Sequence, residues 1–402
     1  MAASKLAAVR QRVNRLKKRI CIVTATRAEY GLLKPVILKL QSKKDFDVRV
    51  AVTGAHLSPE FGLTYCEIEK DGIPMDKKIE ILMSSDTPSA ISKSMALGLI
   101  GFADYFSESK PDGILLLGDR YEMLAVACAA MNEGIPIIHL HGGETTEGAV
   151  DEVIRHALTK MSYLHMTSTE TYRRRVIRMG EEPDRVFCVG ALGVENALHT
   201  KLLEKTDLEK ALQIELDTPY AIVTFHPVTL EKNSAKTQTI ELLEALEEFP
   251  DWKFIMTKAN ADKGGRIINQ MLDSYALSHK NVKIYDSLGI VRYLSALKYS
   301  RMVVGNSSSG LIEAPSFHVP TVNIGSRQKG RIQADSIINC PPEKKDILNA
   351  MKKADDARFR QGLENMQNPY GDGKTSDKII RIIETKLFNT EVDLKKTFYD
   401  IE

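Results

Sequence analysis

The chain has 402 residues, with 55 Lys and Arg side chains against 53 Asp and Glu side chains, and an apolar fraction of 43%. This length is too great for one hydrophobic core and predicts two domains of roughly 150–200 residues each. A net charge of +2 gives no global indication of a nucleic-acid partner or an anionic membrane surface. No apolar run approaches the ~20 residues of a membrane span.

The cysteines and the first residues of the chain bear on its compartment. Five scattered cysteines without CxxC spacing are typical of reduced, mostly buried thiols in a cytosolic protein. The opening segment, MAASKLAAVRQRVNRLKKR, carries seven basic residues and no acidic one. Such a segment can mimic a transit peptide, but an exposed basic extension over residues 1–18 is the favoured interpretation.

Short apolar runs alternate with amphipathic helical stretches along nearly the whole chain. Predicted strands form one series at 20–25, 48–53, 114–117, 137–140, 164–167 and 186–189, and a second at 221–225, 252–256, 282–285, 302–304 and 321–324. Many are continuous Val, Ile and Leu runs, which are typical of parallel strands covered on both faces. Helical spacing lies between them, as at 121–132 and 238–248. The pattern predicts an α/β protein with two Rossmann-like, doubly wound domains.

The boundary between these domains is predicted in the segment VGALGVENAL, where a strand ends and a charged helical region begins. The first domain would then cover 19–190 and the second 191–373. Two glycines and a Thr/Ser cap precede a last helix. We expect residues 374–402 to cross back onto the first domain.

In open parallel sheets ligands collect at the carboxyl ends of the strands, and polar residues follow several of the predicted strands. Arg27 stands where the first helix begins, and a guanidinium beside a helix N-terminus favours an anion. A surface loop capped by Thr26 is the alternative. Asp119 and Arg120 follow the run ILLL and offer a carboxylate and an anion clamp, although an aspartate there often only caps a helix.

The next strand ends in the sequence HLHGGE. His139 alternates with Leu140 inside the apolar run and is predicted to lie in the core. His141 is better placed to face a cleft, and the two glycines after it permit close approach to the backbone. His141 and Glu144 are candidates for acid/base chemistry. No tight ligand spacing occurs here, so no metal site is predicted.

Two further positions leave alternatives open. Asp151 and Arg155 are four residues apart on an amphipathic helix, and this pattern alone favours a solvent-exposed ion pair. His226 stands at the tip of a strand in FHPVT. A histidine there can donate to a phosphate, shuttle a proton or serve a structural purpose.

The segment VGNSSSGLIEAPSFHVPTVNIGSRQKGR contains two strand ends. Gly305 permits a turn, after which Ser307, Ser308 and the next serine offer hydroxyl and N–H groups to a phosphate at a helix start. Glu313, about one turn later, suits ribose hydroxyls, and Arg327 can reach a diphosphate or a base. The second domain is therefore predicted to bind a nucleotide diphosphate, with a Ser-rich helix cap as the alternative.

Together these segments resemble the hydrolysing UDP-N-acetylglucosamine 2-epimerases of bacterial sialic acid biosynthesis. The matching segments are TATRAEYGLLKPV, LLLGDRYEMLAVA, HLHGGETTEGAVDEVIRHALTKMS, FHPVT and VGNSSSGLIEAPSFHVPTVNIGSRQKGR. The resemblance implies a glycosyltransferase-B-like pair of Rossmann domains with the active site in the cleft between them. It also implies conversion of UDP-N-acetylglucosamine and water to N-acetylmannosamine and UDP through a glycal, without a cofactor.

The same resemblance implies roles for individual residues. Those implied to contact the nucleotide are Arg27, Arg120, His226, Asn260, Ser307, Ser308, Glu313 and Arg327. Asp119 and Asp151 would belong to the acid/base set, with His226 as a further candidate. Many relatives carry a glutamate where this chain has His141, which leaves either His141 or Glu144 as the second acid/base group.

Other functions fit parts of this pattern. The same chemistry could act on GDP-N-acetylglucosamine or on a UDP-diacetamido-trideoxy sugar of the legionaminic acid route, because strand-tip backbone groups hold a diphosphate without reading the base. A glycosyltransferase shares the two-domain shape. A non-catalytic sugar-nucleotide sensor would not need both Asp119 and Asp151. We expect a cytoplasmic homodimer or homotetramer that binds a UDP-sugar and no metal, nucleic acid or membrane.

Overall fold

The computed structural model describes residues 17–85, 87–147, 150–228, 234–259, 264–388 and 392–401. Within these residues the strands form two parallel sheets, with orders β3-β2-β1-β4-β5-β6-β7 and β10-β9-β8-β11-β12-β13. The strands of the first sheet are β1 Lys18–Thr24, β2 Phe46–Thr53, β3 Lys77–Ile79, β4 Gly113–Leu117, β5 Ile137–Leu140, β6 Leu164–Thr167 and β7 Val186–Cys188. Those of the second are β8 Tyr220–Thr224, β9 Lys253–Thr257, β10 Val282–Tyr285, β11 Met302–Gly305, β12 Thr321–Ile324 and β13 Ile337–Cys340.

Helices connect most successive strands and cover both faces of each sheet. The helices of the first half are α1 Arg27–Gln41, α2 Tyr65–Lys70, α3 Pro88–Ser109, α4 Tyr121–Asn132, α5 Asp151–Met161 and α6 Glu170–Arg178. Those that follow are α7 Leu192–His199, α8 Lys205–Leu212, α9 Ser234–Leu246, α10 Gly265–Ser278, α11 Gly289–Tyr299, α12 Ser309–Ile312, α13 Lys344–Asp355, α14 Ala357–Gln361 and α15 Thr375–Ile383. A single π-helical turn, Glu384–Phe388, continues α15.

All eleven predicted strands are present, with ends that differ from the prediction by at most two residues. The prediction lacked β3 and β13, each of which lies at one end of its sheet. Each is short, and β3 exposes Lys77 and Lys78 while burying only Ile79. β13 likewise alternates between buried and more exposed residues, so neither strand has the continuous apolar run that revealed most of the others.

The first sheet is buried on both faces because its strands alternate between two cores. Ile20 and Ile22 of β1 pack in one core with Leu33 of α1 and Ile379 of α15. Cys21 and Val23 pack on the other face with side chains of α3 and α4. Burying one such aliphatic side chain stabilises the fold by about 1.5–3 kcal/mol. The last helix thus lies against α1 rather than on the second sheet.

The five thiols are free. Only Cys21 and Cys340 are buried, however, and Cys188 is exposed. The prediction of mostly buried thiols is therefore wrong, because Cys66 and Cys128 lie half-buried on α2 and α4 and Cys188 lies on the outer strand β7.

The loops that follow the strands of the two sheets meet between the domains. Arg331, after β12, donates through Nε to the carbonyl oxygen of Thr145, after β5, at 3.1 Å. Within the second sheet, β11 ends at Gly305 with a φ of 136°. A Cβ atom at Gly305 would collide with the carbonyl oxygen of Thr224 on β8, so only glycine lets these strand tips lie so close. Polar residues after the strands are thereby collected in one region.

Candidate active site

Asp119 is held at the tip of β4 by fixed neighbours. Gly118 precedes it with a φ of 81°, a left-handed conformation that favours glycine. Its carbonyl oxygen lies 2.7 Å from Nε2 of His139. Burial lowers the pKa of His139 to about 4, so its neutral ring can donate to that oxygen. His139 is fully buried, which confirms the prediction that it lies in the core.

Arg155 is the buried partner of Asp119. Only 2% of Arg155 is exposed, and its guanidinium forms an ion pair with Asp119. It also donates to the carbonyl oxygen of Glu144 at 2.8 Å and to the Glu152 carboxylate at 3.0 Å. The prediction of a solvent-exposed pair of Asp151 and Arg155 is therefore wrong, because α5 turns Arg155 inward, where a buried cation needs anionic partners. Asp151 begins α5 and is partly exposed.

His141 and Glu144 form a second pair at the tip of β5. His141 has a φ of 65°, and its Nδ1 lies 3.2 Å from Oε1 of Glu144. Its Nε2 is buried and has no hydrogen-bond partner among the described residues. Glu144 also accepts from the Ser168 hydroxyl at 2.7 Å. Burial opposes ionisation of Glu144, but Arg331, His141 and Ser168 together hold its pKa at about 2. Glu144 is therefore a carboxylate at neutral pH.

Two further arginines of the first domain were predicted to bind the nucleotide. Arg27 is the first residue of α1, as predicted, and Thr26 caps this helix with its side chain. The Arg27 guanidinium is 3.4 Å from the Glu67 carboxylate, and 31% of the Arg27 side chain is exposed. Arg120 precedes α4 and pairs with the buried carboxylate of Glu122 at 3.1 Å. Both guanidiniums stand at strand tips of the first sheet.

His226 follows β8 and is fixed through its backbone. Its N–H donates to Oδ1 of Asn306 at 2.7 Å, and Nδ2 of Asn306 donates back to the His226 carbonyl oxygen at 2.8 Å. Arg327 donates to the carbonyl oxygen of Asn306 at 3.1 Å. Burial, and then the charge of Arg327, lower the pKa of His226 to about 3, so the imidazole is neutral. Asn260, the other residue predicted to lie near here, falls outside the described residues.

The serines and Glu313 complete the second half. Ser307 and Ser308 are partly buried and lead into α12, which has four residues. A single helical turn adds little dipole, so an anion here would depend on hydroxyl and N–H groups. Glu313 ends α12 and lies against Gly193 of α7, where a Cβ atom would collide with its carboxylate. Burial raises the pKa of Glu313 to about 7, and its Oε2 has no hydrogen-bond partner among the described residues.

The two halves are in contact through the loop after β12. Nη2 of Arg331 lies 3.5 Å from Oε2 of Glu144. Lys329 pairs with Glu147 at 3.1 Å across the same boundary. The charge of Arg331 also reaches the Glu313 carboxyl, where it opposes the effect of burial on the pKa of that group. Carboxylates, the His141 imidazole and the Arg331 guanidinium are thus brought together at the boundary between the domains, which suits acid/base chemistry on an anionic ligand.

Sequence reasoning missed four residues that organise this site. They are Glu152, Arg155, Asn306 and Arg331. Asn306 stands beside the serines in GNSSS, and a buried amide at a strand tip can clamp a neighbouring backbone. Arg331 follows a glycine in SRQKGR, but nothing in that pattern shows that its side chain reaches the other domain.

The described part of the chain has neither a cluster of metal ligands nor a membrane-spanning helix. There, no group of three His, Cys, Asp or Glu side chains is arranged to hold a metal ion. In the same residues, no helix combines the length and apolar character needed to cross a bilayer.

Comparison with known proteins gives the family. The model of the family described as UDP-N-acetylglucosamine 2-epimerase matches residues 38–384. A Campylobacter jejuni protein named GDP/UDP-N,N'-diacetylbacillosamine 2-epimerase (hydrolyzing) is 44% identical over 387 residues, 96% of this chain and 100% of that protein. An Escherichia coli protein named polysialic acid biosynthesis protein P7 is 40% identical, over 96% and 98%. The UDP-N,N'-diacetylbacillosamine 2-epimerase (hydrolyzing) of Legionella pneumophila is 35% identical, over 93% and 98%.

Solved structures share the fold. The crystal structure of UDP-GlcNAc 2-epimerase from Neisseria meningitidis bound to UDP-GlcNAc has a TM-score of 0.79 and 20% identity, over 91% of this chain and 100% of that one. The predicted pair of parallel-sheet, glycosyltransferase-B-like domains is thereby confirmed. With a family model that covers most of the chain and full-length relatives above 30% identity, the chain belongs to the UDP-N-acetylglucosamine 2-epimerase family.

Proposed function

We propose that this chain is a hydrolysing 2-epimerase that acts on a nucleoside diphosphate-linked N,N'-diacetylbacillosamine, a diacetamido-trideoxy sugar. The reaction would consume the sugar nucleotide and one water, and release the nucleoside diphosphate and the sugar inverted at carbon 2. The observation that carries this proposal is the 44% identity, over both full lengths, with the Campylobacter jejuni protein of that name. The Legionella pneumophila relative, with a related name, supports the same sugar.

The second half of the site supports recognition of the leaving group. Ser307 and Ser308 offer hydroxyl and N–H groups, and Arg327 is fixed through the Asn306 carbonyl beside them. These groups, with Arg27 from the first domain, suit the two phosphates that leave from carbon 1. Oε2 of Glu313, which has no hydrogen-bond partner among the described residues, suits a ribose hydroxyl that would satisfy this buried oxygen.

The first half of the site supports the chemistry at carbon 2. A base removes the proton from carbon 2 as the bond between carbon 1 and the phosphate oxygen breaks, and the nucleoside diphosphate leaves with the electron pair. The product of this elimination is a glycal. Water then adds its oxygen to carbon 1, while an acid protonates carbon 2 from the opposite face and inverts it. Two acid/base groups are required, and the candidates are Asp119, His141, Glu144 and Asp151, with His226 nearby.

A second substrate is favoured by one observation. The Escherichia coli relative at 40% identity is named for polysialic acid biosynthesis, and the family description names UDP-N-acetylglucosamine. Conversion of UDP-N-acetylglucosamine to N-acetylmannosamine and UDP for sialic acid biosynthesis is therefore the alternative. N,N'-diacetylbacillosamine differs from N-acetylglucosamine at two positions: it carries an acetamido group at carbon 4 and lacks the hydroxyl at carbon 6. A hydroxyl-binding site rejects an analogue that lacks the hydroxyl by up to ~10⁴–10⁵-fold.

A panel of four substrates tests the proposal. The full chain is assayed with the UDP- and GDP-linked forms of N,N'-diacetylbacillosamine and of N-acetylglucosamine, and kcat/KM is measured by release of the nucleoside diphosphate. We expect the highest kcat/KM with a diacetylbacillosamine substrate. A higher kcat/KM with UDP-N-acetylglucosamine would establish the alternative, and binding of all four without turnover would indicate a sugar-nucleotide sensor.

A further inference from the structure

Only one of the two ring nitrogens of His141, Nδ1, has a partner among the described residues. Nδ1 lies 3.2 Å from the ionised Glu144, so the hydrogen resides on Nδ1 and is donated to that carboxylate. Nε2 then carries the lone pair, and it is buried without a hydrogen-bond partner in the described part of the chain. This is the arrangement in which a carboxylate fixes the tautomer of a histidine that exchanges protons through its other nitrogen.

Glu144 is itself unsuited to proton exchange. Its Oε1 accepts from the Ser168 hydroxyl at 2.7 Å and faces His141, and its Oε2 faces the Arg331 guanidinium at 3.5 Å. Burial resists its charge, but these partners hold its pKa at about 2, far below the range in which a group donates protons at neutral pH. Glu144 therefore affects a bound substrate only by orienting the His141 ring.

Arg331 belongs to the other domain, and its position depends on close contact between two loops. It donates through Nε to the Thr145 carbonyl oxygen at 3.1 Å, next to Glu144 in the chain. Its neighbour Gly330 has a φ of 83°, and a Cβ atom there would lie 2.8 Å from Oγ1 of Thr145. Only glycine lets the loop come this near, so Arg331 reaches Glu144 only when the two domains are in contact.

We propose that Arg331, Glu144 and His141 form a relay across the interdomain boundary, in which His141 exchanges the proton at carbon 2 and the other two are positioning residues. This inference rests on the proposed function and assigns the second acid/base group, the partner of Asp119, to His141 rather than Glu144. Contact between the domains completes the relay, so the histidine is correctly oriented only when the second domain, with its bound nucleotide, has closed onto the first. Chemistry is thereby coupled to nucleotide binding.

Three variants of the full-length protein test the relay. Glu144→Gln keeps the shape but removes the charge that stabilises the His141 imidazolium, so the titration midpoint of that ring shifts down by about one pH unit. Arg331→Gln removes a positive charge and shifts the midpoint up. Lys329→Gln breaks a neighbouring interdomain ion pair that does not touch His141, and it leaves the midpoint unchanged. The chain contains nine histidines, so the ring signals are followed by NMR of ¹³C-labelled histidine, with His141→Gln for assignment.

Other charged or titratable side chains surround His141 and Glu144. The charged or titratable neighbours of His141 and Glu144 are His139, Arg155, Tyr172, Glu313, Arg331 and Tyr370. Circular dichroism and UDP affinity show whether each variant folds. If Glu144→Gln does not fold, the upward shift in Arg331→Gln carries the test alone. In the activity assay, Glu144→Gln lowers kcat by about 100-fold with KM within about threefold, and moves one limb of the kcat–pH profile in the same direction as the NMR midpoint.

Each outcome decides the inference. Opposite shifts in the two variants, with none in Lys329→Gln and matching movement of the kcat–pH limb, support the relay. A fall in kcat without movement of the midpoint would mean a merely structural role and overturn it. Wild-type protein that turns over none of the sugar nucleotides refutes the proposed function, and with it the role of His141 at carbon 2. Turnover by His141→Gln at the wild-type rate refutes the relay alone.

Discussion

Removal of the Arg155 guanidinium should destabilise the first domain and disable the site together. Arg155→Gln deletes a buried cation that neutralises Asp119 and Glu152 and satisfies the carbonyl oxygen of Glu144. Breaking a buried ion pair costs about 3–5 kcal/mol. The lower end applies because Asp119 and Glu152 are each 23% exposed and regain some water. We therefore expect a loss of about 3 kcal/mol, or roughly 6–12 °C in Tm for a domain of this size.

Urea unfolding followed by circular dichroism measures this change on the full chain. The matched control is Arg266→Gln, which removes an arginine from an ion pair with Glu60 in which both side chains are more than 60% exposed. Its effect should stay within about 0.5 kcal/mol. A loss below 1 kcal/mol in Arg155→Gln, or a variant that keeps wild-type turnover, would show that Arg155 does not organise Asp119 and would refute this reasoning.

Three further predictions concern single side chains of the site. Asp119→Asn should fold and bind UDP with unchanged affinity by calorimetry but lose turnover by at least ~100-fold, whereas lost UDP binding would reveal a structural cap. Arg327→Ala should weaken UDP binding by roughly tenfold or more, and an unchanged Kd would remove Arg327 from the nucleotide site. The raised pKa of Glu313, about 7 against an ordinary value of 4.5, means that the folded protein binds this proton more tightly than the unfolded chain. Stability contributed by Glu313 is present below pH 4.5 and is lost as the pH rises to 7, so the Tm advantage of Glu313→Gln over the wild type should grow across that window. A constant Tm difference from pH 4.5 to 8 would contradict the perturbed carboxyl.

Continuous apolar runs made the inner strands predictable, because a parallel strand buried on both faces needs Val, Ile and Leu at every position. The strands β3 and β13 were not predicted for the same physical reason, because a half-exposed strand does not need a continuous apolar run. β3, for example, exposes Lys77 and Lys78. The tips of the strands were equally predictable as places for polar residues. Asp119 and His141 were named because each follows an apolar run at the end of a strand, and Glu313 because it stands about one helical turn after the serines that follow β11.

The contacts between those tips were not predictable. The spacing of Asp151 and Arg155 is that of a surface pair, and only packing of α5 against the strand tips reveals that Arg155 is buried against Asp119. The contact of Arg331 was likewise not predictable, because it joins two residues that are far apart in the sequence. Its 3.5 Å approach to Glu144 depends on how the two domains lie against each other, which no local pattern encodes.

The inversion at carbon 2 is the chemical step from which the other assignments follow. Turnover of a diacetylbacillosamine sugar nucleotide in heavy water, followed by proton NMR of the released sugar, reports on it directly. We expect a free sugar with inverted configuration and one solvent deuterium at carbon 2. A released sugar that retains its original configuration and its original hydrogen at carbon 2 would contradict elimination to a glycal and the acid/base roles given to Asp119 and His141.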